Sequence, residues 1–177
     1  MPLLDPKAST LALIDFQAKL MPAIDRGDAA IANAKKLTDA AALVGVPVVY
    51  TVQYPQGLGL TVPELAAPDD KVLEKMCFGA VEAEGFMGRV GADHTIVLAG
   101  VEAHICVLQT ALGLREKGRR VQVVRDAISS RKPESVEVAL RRMEQDGVEI
   151  VTTEMVIFEW IGSAAHPKFR EAARLIR

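Results

Sequence analysis

Five short runs of unbroken apolarity constrain this chain more than any other feature: Thr10–Asp15, Val46–Val52, Thr95–Ala99, Val121–Val124 and Glu149–Val151. A strand with one wet face alternates polar and apolar residues, whereas continuous apolarity suits parallel strands covered on both faces. Helical patterns fill the intervals. Asp28 can cap a helix running to about Val44, with Gly45 as its stop. Ile105 to Lys117 repeats apolar residues at helical spacing and halts at Gly118. Pro133 opens a third helix with Val136, Ala139, Leu140 and Met143 on one face and Gly147 at its end. A last one covers about Pro167 to Ile176. Such alternation implies right-handed crossovers and predicts an α/β fold: a three-layer, doubly wound, Rossmann-like arrangement with a mainly parallel sheet flanked by helices.

Size and charge narrow the function. The 177 residues, half of them hydrophobic, suit a single domain spanning 1–177, with no repeat or linker to divide it. A net charge of −2 gives no reason to expect nucleic acid or an anionic membrane as partner. No apolar run reaches the roughly 18 residues a membrane span needs. The N-terminal Met1-Pro-Leu-Leu-Asp-Pro lacks the order of a signal peptide. Two cysteines, Cys77 and Cys106, are too few for a disulfide framework. These features predict a cytoplasmic protein that works on a small molecule.

Chemistry concentrates at the carboxyl ends of the predicted strands, where open parallel sheets bind ligands. The run from Thr95 breaks at Gly100 and delivers Cys106 onto the first turn of a helix. A helix N-terminus favours an anion and lowers a thiol's pKa from about 8.5, and loop N–H groups beside it can hold an oxyanion. Asp15 ends the first strand, and Lys75 lies in a short extended piece, Val72 to Phe78. An acid, a cation and a thiol fit nucleophilic catalysis, with Lys75 favouring thiolate and Asp15 taking and returning the thiol proton. Taken singly, each residue has a plainer role: Cys106 as a core thiol, Asp15 as a helix cap, Lys75 as a surface charge. The irregular segment Gln53 to Asp70 is long for a compact domain, and its Tyr54 and Leu58 point to an ordered loop folded over something.

Three blocks resemble the signatures of the isochorismatase-like cysteine hydrolases: Leu13-Ile-Asp-Phe-Gln17, Glu74-Lys-Met-Cys-Phe78, and Gly100-Val-Glu-Ala-His-Ile-Cys106. Further segments are similar to the isochorismatase domain-containing subgroup: Gln53-Tyr-Pro-Gln-Gly-Leu-Gly59, Thr61-Val-Pro-Glu-Leu65, Asp126-Ala-Ile-Ser-Ser-Arg131 and His166-Pro-Lys-Phe169. The resemblance implies a catalytic triad of Asp15, Lys75 and Cys106. It also implies a cis peptide between Val101 and Glu102 and an oxyanion hole from the Glu102 and Cys106 N–H groups. The substrate would be a small amide or related carbonyl compound, cleaved through a covalent thioester-type intermediate. Gln17, Gln53, Tyr54 and Leu58 are the expected substrate-binding residues.

Departures from the family's patterns refine this expectation. Nicotinamidases carry an Asp-x-His metal site after the second strand, but Thr51-Val-Gln-Tyr-Pro-Gln-Gly57 holds neither histidine nor carboxylate, so no metal and no cofactor are expected. True isochorismatases lack the nucleophilic cysteine, so Cys106 argues against vinyl-ether cleavage. Ala103 stands where many members have threonine, and His104 is read as exposed or structural. No Gly-x-Gly-x-x-Gly follows the first strand. Two other classes remain open: a thiol redox protein using Cys106, with Cys77 resolving it, and a catalytically silent interaction protein. The apolar run Met155 to Ile161, together with the resemblance, predicts a homodimer or larger homo-oligomer.

Overall fold

At the centre of the sheet lies β1 (Ser9–Ile14), with all six residues buried. The computed structural model describes residues 2–65 and 67–177. Met1 of the N-terminal segment and Ala66 of the long loop lie outside the described residues. The sheet continues through β2 (Val48–Gln53), β3 (Val72–Lys75), β4 (Thr95–Val101), β5 (Val121–Ser129) and β6 (Glu149–Val151). Its order is β3-β2-β1-β4-β5-β6, and every neighbouring pair is parallel. The predicted class holds. Two details differ: the extended piece before Cys77 is a full sixth strand, and β5 runs five residues beyond Val124.

Helices cover both faces. Leu11, Leu13, Val97, Ala99 and Val101 pack with α1 (Gly27–Val44), α6 (Thr153–Ile161) and α7 (Phe169–Leu175). Ala12, Ile14, Ile96 and Leu98 face the opposite layer, which includes α3 (Phe86–Arg89), α4 (Leu108–Glu116) and α5 (Pro133–Gln145). Successive strand residues point to opposite faces, so an unbroken apolar strand feeds two cores at once. The run Met155 to Ile161 is accounted for the same way. It forms α6, which buries Val156, Ile157, Trp160 and Ile161. Trp160 Nε1 even donates to Ser9 Oγ at 3.2 Å. Of that run only Met155 remains largely exposed among the apolar residues, so it is mainly core and not a surface patch.

The direction in which strands are added reverses between β1 and β4: β2 and β3 step outward on one side, β5 and β6 on the other. Ligands of open α/β sheets bind beyond the carboxyl ends of the strands at such a switch point. Close approach of β1 and β4 there depends on Gly100, at φ +154°. A Cβ on Gly100 would stand 2.4 Å from the Ile14 carbonyl oxygen and 2.6 Å from Ile14 Cβ. Both the backbone conformation and the contact therefore exclude a side chain. Gly100→Ala is expected to destabilise the fold by about 3 kcal/mol or more, read as a lower urea midpoint. Gly88→Ala, where a Cβ meets open space, should stay within about 1 kcal/mol of wild type. Equal midpoints for the two variants would refute the packing argument.

Candidate active site

Four strand ends supply the site. Asp15 directly follows β1 in a left-handed conformation, φ +56°, and its N–H donates to the Thr51 carbonyl at 3.2 Å. This bend turns its side chain into the interior, where it is wholly buried. Thr51 Oγ1 donates to Asp15 Oδ1 at 2.6 Å, and Lys75 Nζ donates to Oδ2 at 2.7 Å. Neither side chain of the Asp15–Lys75 pair is exposed at all. The remaining donors of the ammonium go to the carbonyls of Cys77 at 3.1 Å and Phe78 at 2.9 Å. A lysine with three acceptors already in place acts by charge and by fixing Asp15. It is neither the surface charge nor the cap pairing that either residue alone would fit.

Cys106 lies beyond β4 in a five-residue π-turn, Ala103–Val107, that precedes α4, and not in the first α-turn. The Val101–Glu102 peptide is cis, as the resemblance implies. Thr110 Oγ1 donates to the Cys106 carbonyl at 2.7 Å and accepts from the Ala80 N–H at 2.9 Å, pinning the turn onto α4. The thiol is buried. Burial pushes it up to about 12 from an ordinary 9.0, reinforced by the Asp15 charge, against which Lys75 pulls down. A hydrogen bond to Asp15 and the Glu102 charge raise it further. The expected lowering by a helix terminus is overridden, because desolvation of a thiolate and a neighbouring carboxylate outweigh backbone dipoles. Cys106 is therefore a protonated thiol at neutral pH, held beside a carboxylate.

The long loop is ordered, and Gln17 explains why. Its Oε1 accepts from the Gln53 N–H at 2.8 Å, and its Nε2 donates to the carbonyls of Gln53 at 3.0 Å and Gly59 at 2.7 Å. Fully buried, this amide ties both ends of α2 (Pro55–Leu58) to the segment after β1. Gln53 uses its own Nε2 on the Met76 carbonyl at 3.2 Å. Tyr54, at φ +43°, is 46% exposed, with its ring over Gly57, and Leu58 is half-buried. Of the four expected substrate-binding residues, Gln17 thus shapes the loop from beneath, while Tyr54 is the one that presents a large open face.

Sequence reasoning missed Thr51, Ser130 and Arg131. Thr51 could have been found from its strand end: it pairs in register with Ile14, the neighbour of Asp15. Arg131 Nε donates to the buried Glu102 carboxylate at 3.0 Å, and His104 Nδ1 shares a hydrogen bond with Ser130 Oγ at 2.9 Å. Among the described residues, no group of three or more His, Cys, Asp or Glu side chains is gathered for a metal ion. No helix there is long and apolar enough to cross a membrane.

A thiol just beyond β4 and a buried carboxylate–ammonium pair at the carboxyl edge of a doubly wound sheet define the class of α/β protein to which the chain belongs. The isochorismatase domain model matches residues 9–155, and the chain belongs to the isochorismatase family. It is 39% identical to mouse isochorismatase domain-containing protein 2A over 174 residues, covering 97% of this chain and 84% of that one. Among solved structures, the MAR1 ribonuclease of Caenorhabditis elegans superposes with a TM-score of 0.91 at 36% identity, over 99% of this chain and 92% of that one. The YcaC gene product of Escherichia coli, an octameric hydrolase of unknown specificity, gives 0.85 at 28% identity over 99% and 95%.

Proposed function

We propose that the protein hydrolyses a small amide or related carbonyl compound through a thioester on Cys106. The observation that carries this reading is a buried thiol just beyond β4 beside a buried carboxylate that Thr51 and Lys75 hold in place. As sulfur attacks the carbonyl carbon, Asp15 takes the thiol proton, so no free thiolate has to wait in the apolar site. The N–H groups of Glu102 and Cys106 receive the developing oxyanion. Asp15 then protonates the leaving nitrogen, the C–N bond breaks and an amine or ammonia departs. A water gives its proton to Asp15 and adds to the thioester. Collapse of that adduct breaks the C–S bond, and sulfur recovers the proton while the acid leaves. Lys75 pairs with Asp15 and keeps its carboxylate aimed. Tyr54 and Leu58 line the entrance, with Gln17 and Gln53 setting the loop.

A high thiol pKa disfavours the redox alternative, since thiolates and not thiols react with peroxide. RNA cleavage, raised by the name of the C. elegans protein, would need a surface that attracts polyanions, and a net charge of −2 does not favour one. Homo-oligomerisation is part of the proposal and draws support from the octameric E. coli relative. A panel of small amides assayed for ammonia release, with acid quench and peptide mass analysis, tests the reading. Expected is an acyl adduct on Cys106 during turnover of one amide. Turnover with no such adduct at any quench time would overturn the covalent route.

A further inference from the structure

Glu102 carries a second charge at the catalytic turn for which the proposed chemistry has no use. Its residue is 6% exposed, and a carboxylate is expensive to bury unless paired and hydrogen-bonded. Arg131 supplies the partners: Nε donates to Oε1 at 3.1 Å and Oε2 at 3.0 Å, and the Arg131 N–H reaches Oε2 at 3.3 Å. His104 Nδ1 stands 3.9 Å from Oε2. The loop that presents Arg131 is itself anchored. Ser129 pairs with Val101 in the sheet, the Asp25 N–H donates to the Ser130 carbonyl at 3.0 Å, and Ser129 Oγ donates to the Asp25 carbonyl at 2.5 Å. At the other end of the same residue, the Glu102 carbonyl accepts from the N–H groups of Ile105 at 3.1 Å and Val107 at 3.2 Å. Residue 102 is thus held by the strand end that precedes it, by its carbonyl and by its side chain together.

We infer that the Glu102–Arg131 clamp positions the backbone N–H groups of Glu102 and Cys106 toward the carbonyl oxygen of the substrate. This rests on the hydrolase reading. Oxyanion donors act only within a narrow range of distance and direction, so a small rotation at residue 102 removes much of their effect. The two side chains act by positioning: neither the Arg131 guanidinium nor the Glu102 carboxylate touches the reacting atoms, which meet only the backbone N–H of residue 102.

Two small alkylating agents separate this role from general stability. Acrylamide bonds the Cys106 sulfur to its terminal carbon. The C=C electron pair moves onto the amide oxygen as an enolate, and the thiol proton finishes on the α-carbon. Iodoacetamide bonds the same sulfur by expelling iodide, and its carbonyl oxygen gains little charge. The ratio of the two rate constants reports stabilisation of the oxyanion and cancels changes in thiolate population. With Cys77→Ser as background and intact mass as readout, the folded protein should show a ratio well above that of the same chain unfolded in urea. Arg131→Ala, a change at a half-exposed side chain, should lower the ratio about tenfold. A folded-to-unfolded ratio of one would overturn the oxyanion hole and this inference with it. A high wild-type ratio left unchanged by Arg131→Ala would overturn the clamp alone.

Discussion

Cys106→Ala should lower amide turnover on the order of 10⁴-fold or more while leaving the fold intact. The sulfur is the only atom in the proposal that bonds to substrate, and no neighbouring side chain can take its place: Lys75 is saturated by three acceptors. Alanine leaves a small void in a layer shared with Ile14, Leu98 and Val107, worth about 1–2 kcal/mol. The thiol's titration supplies a second, independent signature. An acid whose folded pKa is raised stabilises the protein below its unfolded value and loses that contribution as pH climbs toward the folded value. With the thiol at about 12 in the fold against an ordinary 9.0, wild-type stability should fall more steeply than that of the alanine variant from pH 9 upward. Urea midpoints measured from pH 8 to pH 11 would reveal it. Parallel curves would mean that Cys106 titrates as an ordinary thiol, and residual wild-type turnover would exclude the covalent mechanism.

What the sequence made legible follows from how locally each feature is encoded. Continuous apolar runs specify strands buried on both faces, so the parallel sheet and its three layers could be read directly. That Asp15, Lys75 and Cys106 come together was legible as well, because each lies at or just beyond the end of a strand and strand ends converge on one edge. Interactions that depend on register could not. Thr51 reaches Asp15 only because β2 lies beside β1 with Thr51 opposite Ile14. Arg131 reaches Glu102 only because β5 extends past a register shift near Gly100. Gln17 reads as a substrate-binding residue in the sequence, and its amide is matched to loop carbonyls that no pattern in the sequence announces. The thiol pKa failed for a related reason: a terminal dipole is readable from one segment, whereas burial beside a carboxylate is a property of four.

The second large effect concerns the buried ion pair, and a cycle of variants tests it. Lys75→Met preserves much of the side-chain volume but leaves the Asp15 carboxylate enclosed without its counterion, which should destabilise the fold by about 3–5 kcal/mol. It also removes the one charge that pulls the Cys106 thiol downward, so the thiol titrates still higher and alkylation at fixed pH slows. Asp15→Asn works in the opposite sense on the thiol. It deletes the carboxylate charge and weakens the hydrogen bond that favours the protonated form, so alkylation of Cys106 should accelerate even as amide turnover collapses for want of a base. A more reactive thiol in a less active enzyme would distinguish proton transfer to Asp15 from simple thiolate supply. Combining the two substitutions removes both buried charges, and the double variant should recover stability relative to Lys75→Met without recovering turnover. The decisive quantities are the sign of the alkylation change in Asp15→Asn and the non-additivity of the urea midpoints. If Asp15→Asn slows alkylation, or if the two stability losses simply add, then Asp15 and Lys75 do not act on Cys106 as one charged unit and the proposed triad fails.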